Sequence, residues 1–197
     1  GRRMAETVAR RGAIAVLPQD IPIHAVTETI EYVKAAHPIY ESPVTVSADA
    51  PVAAALALLG KRAHQAAVVV DPDRHPVGVV TDGDLRNVDR FATVGHVMST
   101  ELFTVGPDAD LDSVFDGLAK QHLGLAPVVA DGQLQGVLTR KGILRSAIYS
   151  PALDAQGRLR IGTAIGINGD VAAKAKAMLE SGVDVLVVDT AHGHQDK

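Results

Sequence analysis

The hydrophobic and polar positions in the middle of the chain form a pattern that occurs twice. Residues 43–46 (Pro-Val-Thr-Val) return as residues 102–105 (Leu-Phe-Thr-Val), and residues 78–81 (Gly-Val-Val-Thr) return as residues 136–139 (Gly-Val-Leu-Thr). Nearly the same length of chain separates the members of each pair. Self-similarity of this kind indicates two copies of one structural unit.

Each copy predicts the same order of elements, namely strand, helix, strand, turn, strand and helix. Residues 50–62 and 109–121 carry apolar side chains at helical spacing, and Asp49 and Asp108 directly precede them as N-cap candidates. Short apolar runs separated by turns rich in Asp, Pro or Gly predict the strands that follow, at residues 66–70, 77–80, 126–129 and 135–138.

Outside the two copies, predicted helices alternate with predicted buried strands. Helices are expected at residues 4–11, 23–36 and 170–180, the last of them stopped by Gly182. Apolar strands are expected at residues 14–17, 160–166 and 183–189. Nearly continuous apolar strands joined by helices are typical of a parallel sheet that is covered on its faces.

Composition excludes several classes of partner. A net charge of −4, a pI near 6.0 and an aromatic content of 3% predict no nucleic-acid partner. No apolar run approaches the roughly twenty residues of a membrane span, and no signal-peptide core follows the first residues, so we expect a cytoplasmic protein without a membrane partner. The chain contains no cysteine, which excludes disulfides, thiolate metal sites and a cysteine nucleophile within these 197 residues.

The most specific stretches follow the repeats. Residues 154–166 (Asp-Ala-Gln-Gly-Arg-Leu-Arg-Ile-Gly-Thr-Ala-Ile-Gly) and 182–194 (Gly-Val-Asp-Val-Leu-Val-Val-Asp-Thr-Ala-His-Gly-His) closely resemble the third and fourth barrel strands of the IMP dehydrogenase/GMP reductase family. Residues 2–17 resemble the helix and strand that precede an insertion in that family, and the two copies resemble CBS repeats.

This resemblance implies an α/β protein in which a tandem CBS (Bateman) module of α+β repeats interrupts a (β/α)₈ TIM barrel. The barrel is expected to be partial, because residues 1–41 and 149–197 are far fewer than the roughly 250 of a complete one. The CBS repeats are expected at residues 42–98 and 99–148.

In the family that the chain resembles, Asp189 occupies the position that contacts the nicotinamide ribose, and Thr190, Ala191 and His192 line the dinucleotide site. A carboxylate at the carboxyl end of a barrel strand lies on the face where barrel chemistry occurs, and it accepts hydrogen bonds from ribose hydroxyls. The alternative is that Asp189 only caps the next turn or helix.

The remaining polar residues near this strand give no metal prediction. His192 and His194 have no third ligand at a useful spacing, so no metal site is predicted and His194 has no assigned role. Residues 166–169 (Gly-Ile-Asn-Gly) follow the preceding strand. They are interpreted either as a tight turn that needs glycine or as a ligand contact, and both interpretations stay open.

A CBS repeat binds adenine or guanine nucleotides through a Thr-x-x-Asp sequence at the end of its last strand. Thr81 and Asp84 match this sequence at the start of a predicted helix, although a helix cap would explain them equally well. The second copy keeps Thr139 but lacks the Asp, which leaves Arg140 and Lys141 to contact phosphates. The basic residues that follow the first helix, candidates for a polyphosphate contact or for a solvated helix end, are Lys61, Arg62 and His64.

The activity that the resemblance implies is attack of a catalytic cysteine on C2 of a purine nucleotide, with hydride exchange at a nicotinamide cofactor. The cysteine, the phosphate loops, the mobile flap and a monovalent cation such as K⁺ would lie outside this chain. Residues 15–20 (Ala-Val-Leu-Pro-Gln-Asp) and 148–151 (Ile-Tyr-Ser-Pro) resemble the CBS-containing branch to which GMP reduction is assigned.

That branch implies reduction of GMP to IMP with NADPH, ATP or GTP at the CBS pair, and a homo-tetramer or octamer. Two alternatives stay open: an IMP dehydrogenase that converts IMP to XMP with NAD, and a nucleotide-sensing CBS protein without catalysis. Fold alone does not decide the direction of the reaction.

Overall fold

The computed structural model describes residues 1–60 and 65–193 as a mixed α/β protein. The helices are α1 (Arg2–Ala9), α2 (Ile23–Ala35), α3 (Val52–Leu59), α4 (Asp82–Leu85), α5 (Leu111–Lys120), α6 (Arg140–Ile148) and α7 (Val171–Glu180). The strands are β1 (Val16–Leu17), β2 (Thr45–Ser47), β3 (Ala66–Val70), β4 (Pro76–Thr81), β5 (Leu125–Ala130), β6 (Gln133–Thr139), β7 (Gly162–Ile165) and β8 (Val185–Val188). In this part of the chain no helix is long and apolar enough to cross a membrane.

The chain divides into two compact units. The split unit consists of Gly1–Pro38 and Arg145–Lys197, and the inserted unit consists of Ile39–Leu144. The inserted unit therefore begins a few residues before position 42, where the sequence placed the first repeat. The reason is that Ile39 and Tyr40 pack against the core of the second repeat, and Glu41 forms a bridge with Val137 of β6.

The split unit is built on a parallel sheet in the order β1-β7-β8. Its core joins Leu17, Ile161 and Ile165 to the apolar face of α2, and α1 and α7 contribute small or flexible apolar residues. Gly182 ends α7 in a left-handed conformation with φ +90°, which glycine adopts without a steric penalty. The predicted parallel sheet with connecting helices is confirmed for this unit.

The last strand, β8, is partly exposed, as expected for a partial barrel. In β8, Val185 is 37% exposed, Val187 39% and Val188 65%. The strand lies at the end of the three-stranded sheet, and within the described residues only β7 pairs with it.

The inserted unit contains the two repeats, and their pairing patterns match. In the first repeat β2 runs parallel to β3, and β3 runs antiparallel to β4 with an irregularity between Val69 and Val70. In the second, β5 and β6 are antiparallel with the same irregularity between Val128 and Val129. The opening strand predicted for the second repeat is reduced to one parallel bridge, Val105 to Val128.

Each repeat also pairs, through a short segment, with a strand of the other repeat. Ser99, which begins the second repeat, bridges β4 at Val79, and Glu41, at the start of the first repeat, bridges β6. At these crossings a Cβ on Gly78 would collide with Met98, and a Cβ on Gly136 would collide with the Tyr40 ring. The glycine shared by the two closing motifs therefore permits the close approach that joins the repeats.

The predicted N-caps Asp49 and Asp108 were both wrong by two residues. The N-cap of α3 is Pro51, and the backbone N–H groups of Val52 and Ala53 donate to carbonyls of the loop at residues 90–92 instead. The N-cap of α5 is Asp110, whose carboxylate accepts from the Ser113 N–H at 2.9 Å. Hydrogen bonds from elsewhere in the unit replaced the side-chain cap in the first case.

A buried ion triad holds the split unit together. Lys34 Nζ on α2 donates to Asp154 Oδ2 at 2.9 Å and to the two carboxylate oxygens of Asp184 at 2.8 and 2.7 Å. Asp184 also accepts from the Ile161 N–H at 2.8 Å. Burial raises the pKa of Asp154, but hydrogen bonds from Lys34 and Arg158 and the charge of Lys34 outweigh it and hold that pKa far below its ordinary value.

Candidate functional site

The inserted unit contains a cavity of about 540 Å³ between its two repeats. This volume lies within the range of small-molecule pockets. One wall consists of the end of β4, the start of α4, and Gln65, which directly precedes β3. The other wall comes from the second repeat and its approach segment, and it includes Glu101, Leu102, Phe103, His122, Leu123, Leu125 and Pro127.

The predicted residues Thr81 and Asp84 both line this cavity. They form a reciprocal cap at the start of α4: Asp84 Oδ2 accepts from the Thr81 N–H and from Thr81 Oγ1, each at 2.8 Å, and the Asp84 N–H donates to Thr81 Oγ1 at 3.3 Å. The helix-cap interpretation is therefore correct as geometry. It does not exclude a ligand role, because the same carboxylate borders the cavity.

Two non-glycine residues that line the cavity adopt left-handed backbone conformations. Gln65 has φ +50° and His122 has φ +56°. The carbonyl of Gln65 accepts from the Asp82 N–H at 2.8 Å, which ties the start of β3 to the start of α4. Non-glycine residues with positive φ are uncommon and gather at functional sites, since the surrounding structure must hold them.

The predicted residues of the second repeat do not line this cavity. Thr139 is buried, and its Oγ1 accepts from the Gly142 N–H at 2.9 Å. Arg140 is exposed, with its guanidinium 5.1 Å from the centre of the Phe115 ring, and Lys141 is also exposed. The basic residues Lys61, Arg62 and His64 lie outside the described residues.

In the split unit, the carboxyl ends of the three parallel strands bring together residues from distant parts of the chain. Gln19 follows β1, Gly166 follows β7 and Asp189 follows β8. The Asp189 N–H donates to the Ile165 carbonyl at 2.9 Å, and a Cβ on Gly166 would collide with the Gln19 amide oxygen. Ligands of parallel α/β sheets bind at this edge.

The predicted cofactor residues lie at the same edge. Asp189 is exposed, and among the described residues its carboxylate has no hydrogen bond or ion pair, so its oxygens are open to hydrogen-bond donors. Thr190 Oγ1 donates to the His192 carbonyl at 3.3 Å, and Ala191 and His192 are exposed. His194 lies outside the described residues.

A possible metal-ligand group lies elsewhere. Ligand atoms of Asp71, Asp73 and His75, on the turn between β3 and β4, lie within 4.8 Å of one another. The hydrogen bond between His75 Nδ1 and Asp71 Oδ2, 2.9 Å long, lowers the pKa of Asp71. That contact already engages two of the three side chains, and the group borders neither site above.

Several lining residues escaped the sequence analysis. Phe103 belongs to the repeated Leu-Phe-Thr-Val motif, which could have suggested it, but no local pattern indicates Glu101 or His122 as neighbours of Thr81. Their proximity depends on how the two repeats pack. Gln19 was predicted only as part of the branch-specific stretch at residues 15–20.

A model of the IMP dehydrogenase / GMP reductase domain matches residues 1–197. The chain belongs to this family. The GMP reductase of Mycobacterium tuberculosis is 51% identical over 198 residues, a match that covers all of this chain and 41% of the relative. The inosine-5'-monophosphate dehydrogenase of Aquifex aeolicus is 34% identical and matches 99% of the chain.

Solved structures of this family are similar in fold to this chain. A crystal structure of GMP reductase from Trypanosoma brucei in complex with guanosine 5'-triphosphate has a TM-score of 0.72 and 29% identity, covering 99% of this chain and 49% of that one. A structure of a single-residue variant of that enzyme in complex with guanosine 5'-monophosphate has a TM-score of 0.71 and 29% identity, covering 99% of this chain and 43% of that one. The present chain spans about two fifths of the length of the curated relatives it matches.

Proposed function

We propose that the complete protein is a GMP reductase that converts GMP to IMP and ammonia with NADPH. The observation that carries this proposal is the 51% identity to the M. tuberculosis GMP reductase, which exceeds the 34% identity to the IMP dehydrogenase of A. aeolicus over nearly the same residues. The residues Leu17, Pro18 and Gln19 support it, because they resemble the CBS-containing branch to which GMP reduction is assigned.

In this proposal the split unit is the part of a TIM barrel that binds NADPH. The open carboxylate of Asp189 would accept hydrogen bonds from the nicotinamide ribose, with Thr190, Ala191 and His192 beside it. NADPH supplies the hydride when bound. The nucleophilic cysteine that the family uses at C2 of the purine belongs to the remainder of the complete protein, because this chain has none.

The test of the direction is the change in absorbance at 340 nm for the complete protein. With GMP and NADPH the absorbance should fall, and with IMP and NAD it should stay constant. A rise in the second mixture without a fall in the first would reject the reductase and establish an IMP dehydrogenase.

The inserted unit is proposed to be a CBS pair that binds a purine nucleotide in the cavity beside Thr81 and Asp84. The support is that both residues line a cavity of about 540 Å³ and that Asp84 hydrogen-bonds through only one carboxylate oxygen within the described residues. The second oxygen, Oδ1, is then available for a ribose hydroxyl.

Calorimetry on the complete protein tests this site. Asp84→Ala should abolish or strongly weaken binding of ATP or GTP, whereas Asp112→Asn, a change of an exposed carboxylate on α5 outside the cavity, should not. If Asp84→Ala binds as well as wild type and Thr139→Ala does not, the nucleotide occupies the other repeat.

Nucleotide at this site is proposed to change the rate of GMP reduction without entering the catalytic site. Such control requires different affinities for two states of the enzyme, and the coupling is expected to be about 1–3 kcal/mol.

We further propose a homo-tetramer or octamer for the complete protein. Light scattering that gives a monomer at micromolar concentration would reject the assembly.

A further inference from the structure

The cavity of the inserted unit contains three carboxylates, and two of them already have partners. Asp82 Oδ2 accepts from Arg86 Nε at 2.7 Å, and Asp84 Oδ2 accepts two hydrogen bonds from Thr81. Glu101 has no hydrogen bond or ion pair with any described residue. Within the part of the chain that the structure describes, Glu101 is therefore the lining carboxylate that leaves both oxygens available to a ligand.

The second repeat contributes a wall with several apolar residues to the cavity. Glu101 directly precedes two of them, Leu102 and Phe103, and the others are Leu123, Leu125 and Pro127. The Phe103 ring is fixed against α5, because a Cβ on Gly117 would collide with it. A planar aromatic base fits such a wall, while the opposite wall with Thr81 and Asp84 suits the ribose.

The charges of the described lining residues also favour the nucleoside part of a nucleotide here. Three carboxylates face one guanidinium, which is already paired with Asp82, and one imidazole, that of His122. Several phosphates inside this cavity would meet net repulsion. An uncharged base and ribose would not, so the described lining suits the nucleoside part of a nucleotide.

We propose that Glu101 selects guanine nucleotides over adenine nucleotides in this cavity. Guanine presents two adjacent donors, N1–H and the N2 amino group, which match the two oxygens of a carboxylate. Adenine presents a lone pair at N1, which a carboxylate repels, beside one amino group. Hydrogen bonds to a charged acceptor are among the stronger ones, so the geometry favours guanine. The inference rests on the proposed nucleotide site.

The experiment is calorimetric titration of the complete protein with GTP, ITP and ATP, counting only the binding that Asp84→Ala removes. ITP lacks the N2 amino group and should bind roughly tenfold more weakly than GTP, and ATP at least tenfold more weakly. In Glu101→Gln the affinity for GTP should fall about tenfold and that for ATP should not fall. Glu101→Asp tests whether a shortened carboxylate keeps part of the preference, and Asp112→Asn is the matched charge control.

The outcomes separate the two proposals. If wild type prefers ATP, or if Glu101→Gln keeps the ratio of GTP to ATP affinity while Asp84→Ala removes both, the site stands and Glu101 is not its selector. If Asp84→Ala leaves all binding unchanged, the proposed nucleotide site is wrong, and the proposed role of Glu101 is wrong as well. Loss of guanine preference in Glu101→Gln but not in Asp112→Asn supports the inference.

Discussion

Replacing Lys34 by Met should loosen the strand that carries Asp189. The Lys34 ammonium uses its donors on two carboxylates whose side chains are only 9% and 15% exposed, Asp154 and Asp184. Methionine removes the charge at similar size. It leaves Asp184 shielded without its cation, while Asp154 keeps the half-exposed Arg158, whose Nε lies 2.9 Å from Asp154 Oδ2. Breaking a buried ion pair by removing one partner costs about 3–5 kcal/mol.

Hydrogen exchange measured by mass spectrometry is the suitable assay, because it reads local opening in the intact complete protein. Peptides covering residues 154–162 and 183–189 should lose protection by roughly a hundredfold to several thousandfold. Lys176→Met is the control, since the contact between Lys176 and Glu180 is 3.9 Å long and exposed and is expected to contribute little.

The triad also predicts a dependence on pH. The pKa of Asp154 is lowered in the folded protein, so its contribution is present above the ordinary value of 3.8 and is lost as the pH falls from there toward the folded pKa. Wild type should therefore lose protection in these peptides below about pH 4, more steeply than Lys34→Met.

A double-mutant cycle decides whether the residues act together. Lys34→Met combined with Asp184→Asn should be less damaging than the two single changes added, with a coupling of at least about 0.5 kcal/mol. Additive effects, or protection in Lys34→Met within a fewfold of wild type, would refute the reasoning.

Three further changes test other parts of the structure. Asp110→Ala should raise exchange in α5 severalfold, whereas Asp116→Ala should not, because only Asp110 caps the helix; equal effects would contradict that cap. Gly136→Ala should destabilise the inserted unit by about 1–3 kcal/mol through the Tyr40 ring, while Gly106→Ala, with open space at its Cβ, should not; a neutral Gly136→Ala would mean that Tyr40 moves freely. Asp189→Ala should raise the KM for NADPH more than it lowers kcat; an unchanged KM would remove Asp189 from the cofactor site.

Local pattern predicted the order of elements except for the opening strand of the second repeat, which is reduced to a single bridge. Apolar runs bounded by Asp, Pro and Gly located β3 at the predicted residues 66–70, and the cap at Thr81 and Asp84 was the alternative interpretation of the Thr-x-x-Asp sequence. Helix starts were less accurate, because α3 is capped by carbonyls of the loop at residues 90–92, and no rule based on neighbouring residues includes that loop.

Contacts between distant segments could not be predicted in the same way. Lys34 lies 120 positions from Asp154 and 150 from Asp184, and a lysine on a helix is usually solvated. Glu101 and His122 reach Thr81 only through the packing of two repeats on each other. The sequence therefore indicated the site residues on single elements and missed those contributed by a second element.

The most direct test of the proposed reaction is identification of its products. Complete protein incubated with GMP and NADPH should yield IMP on chromatography, with one ammonium released for each NADPH oxidised. Oxidation of NADPH without IMP, or formation of XMP from IMP and NAD by a protein inactive on GMP, would contradict the account.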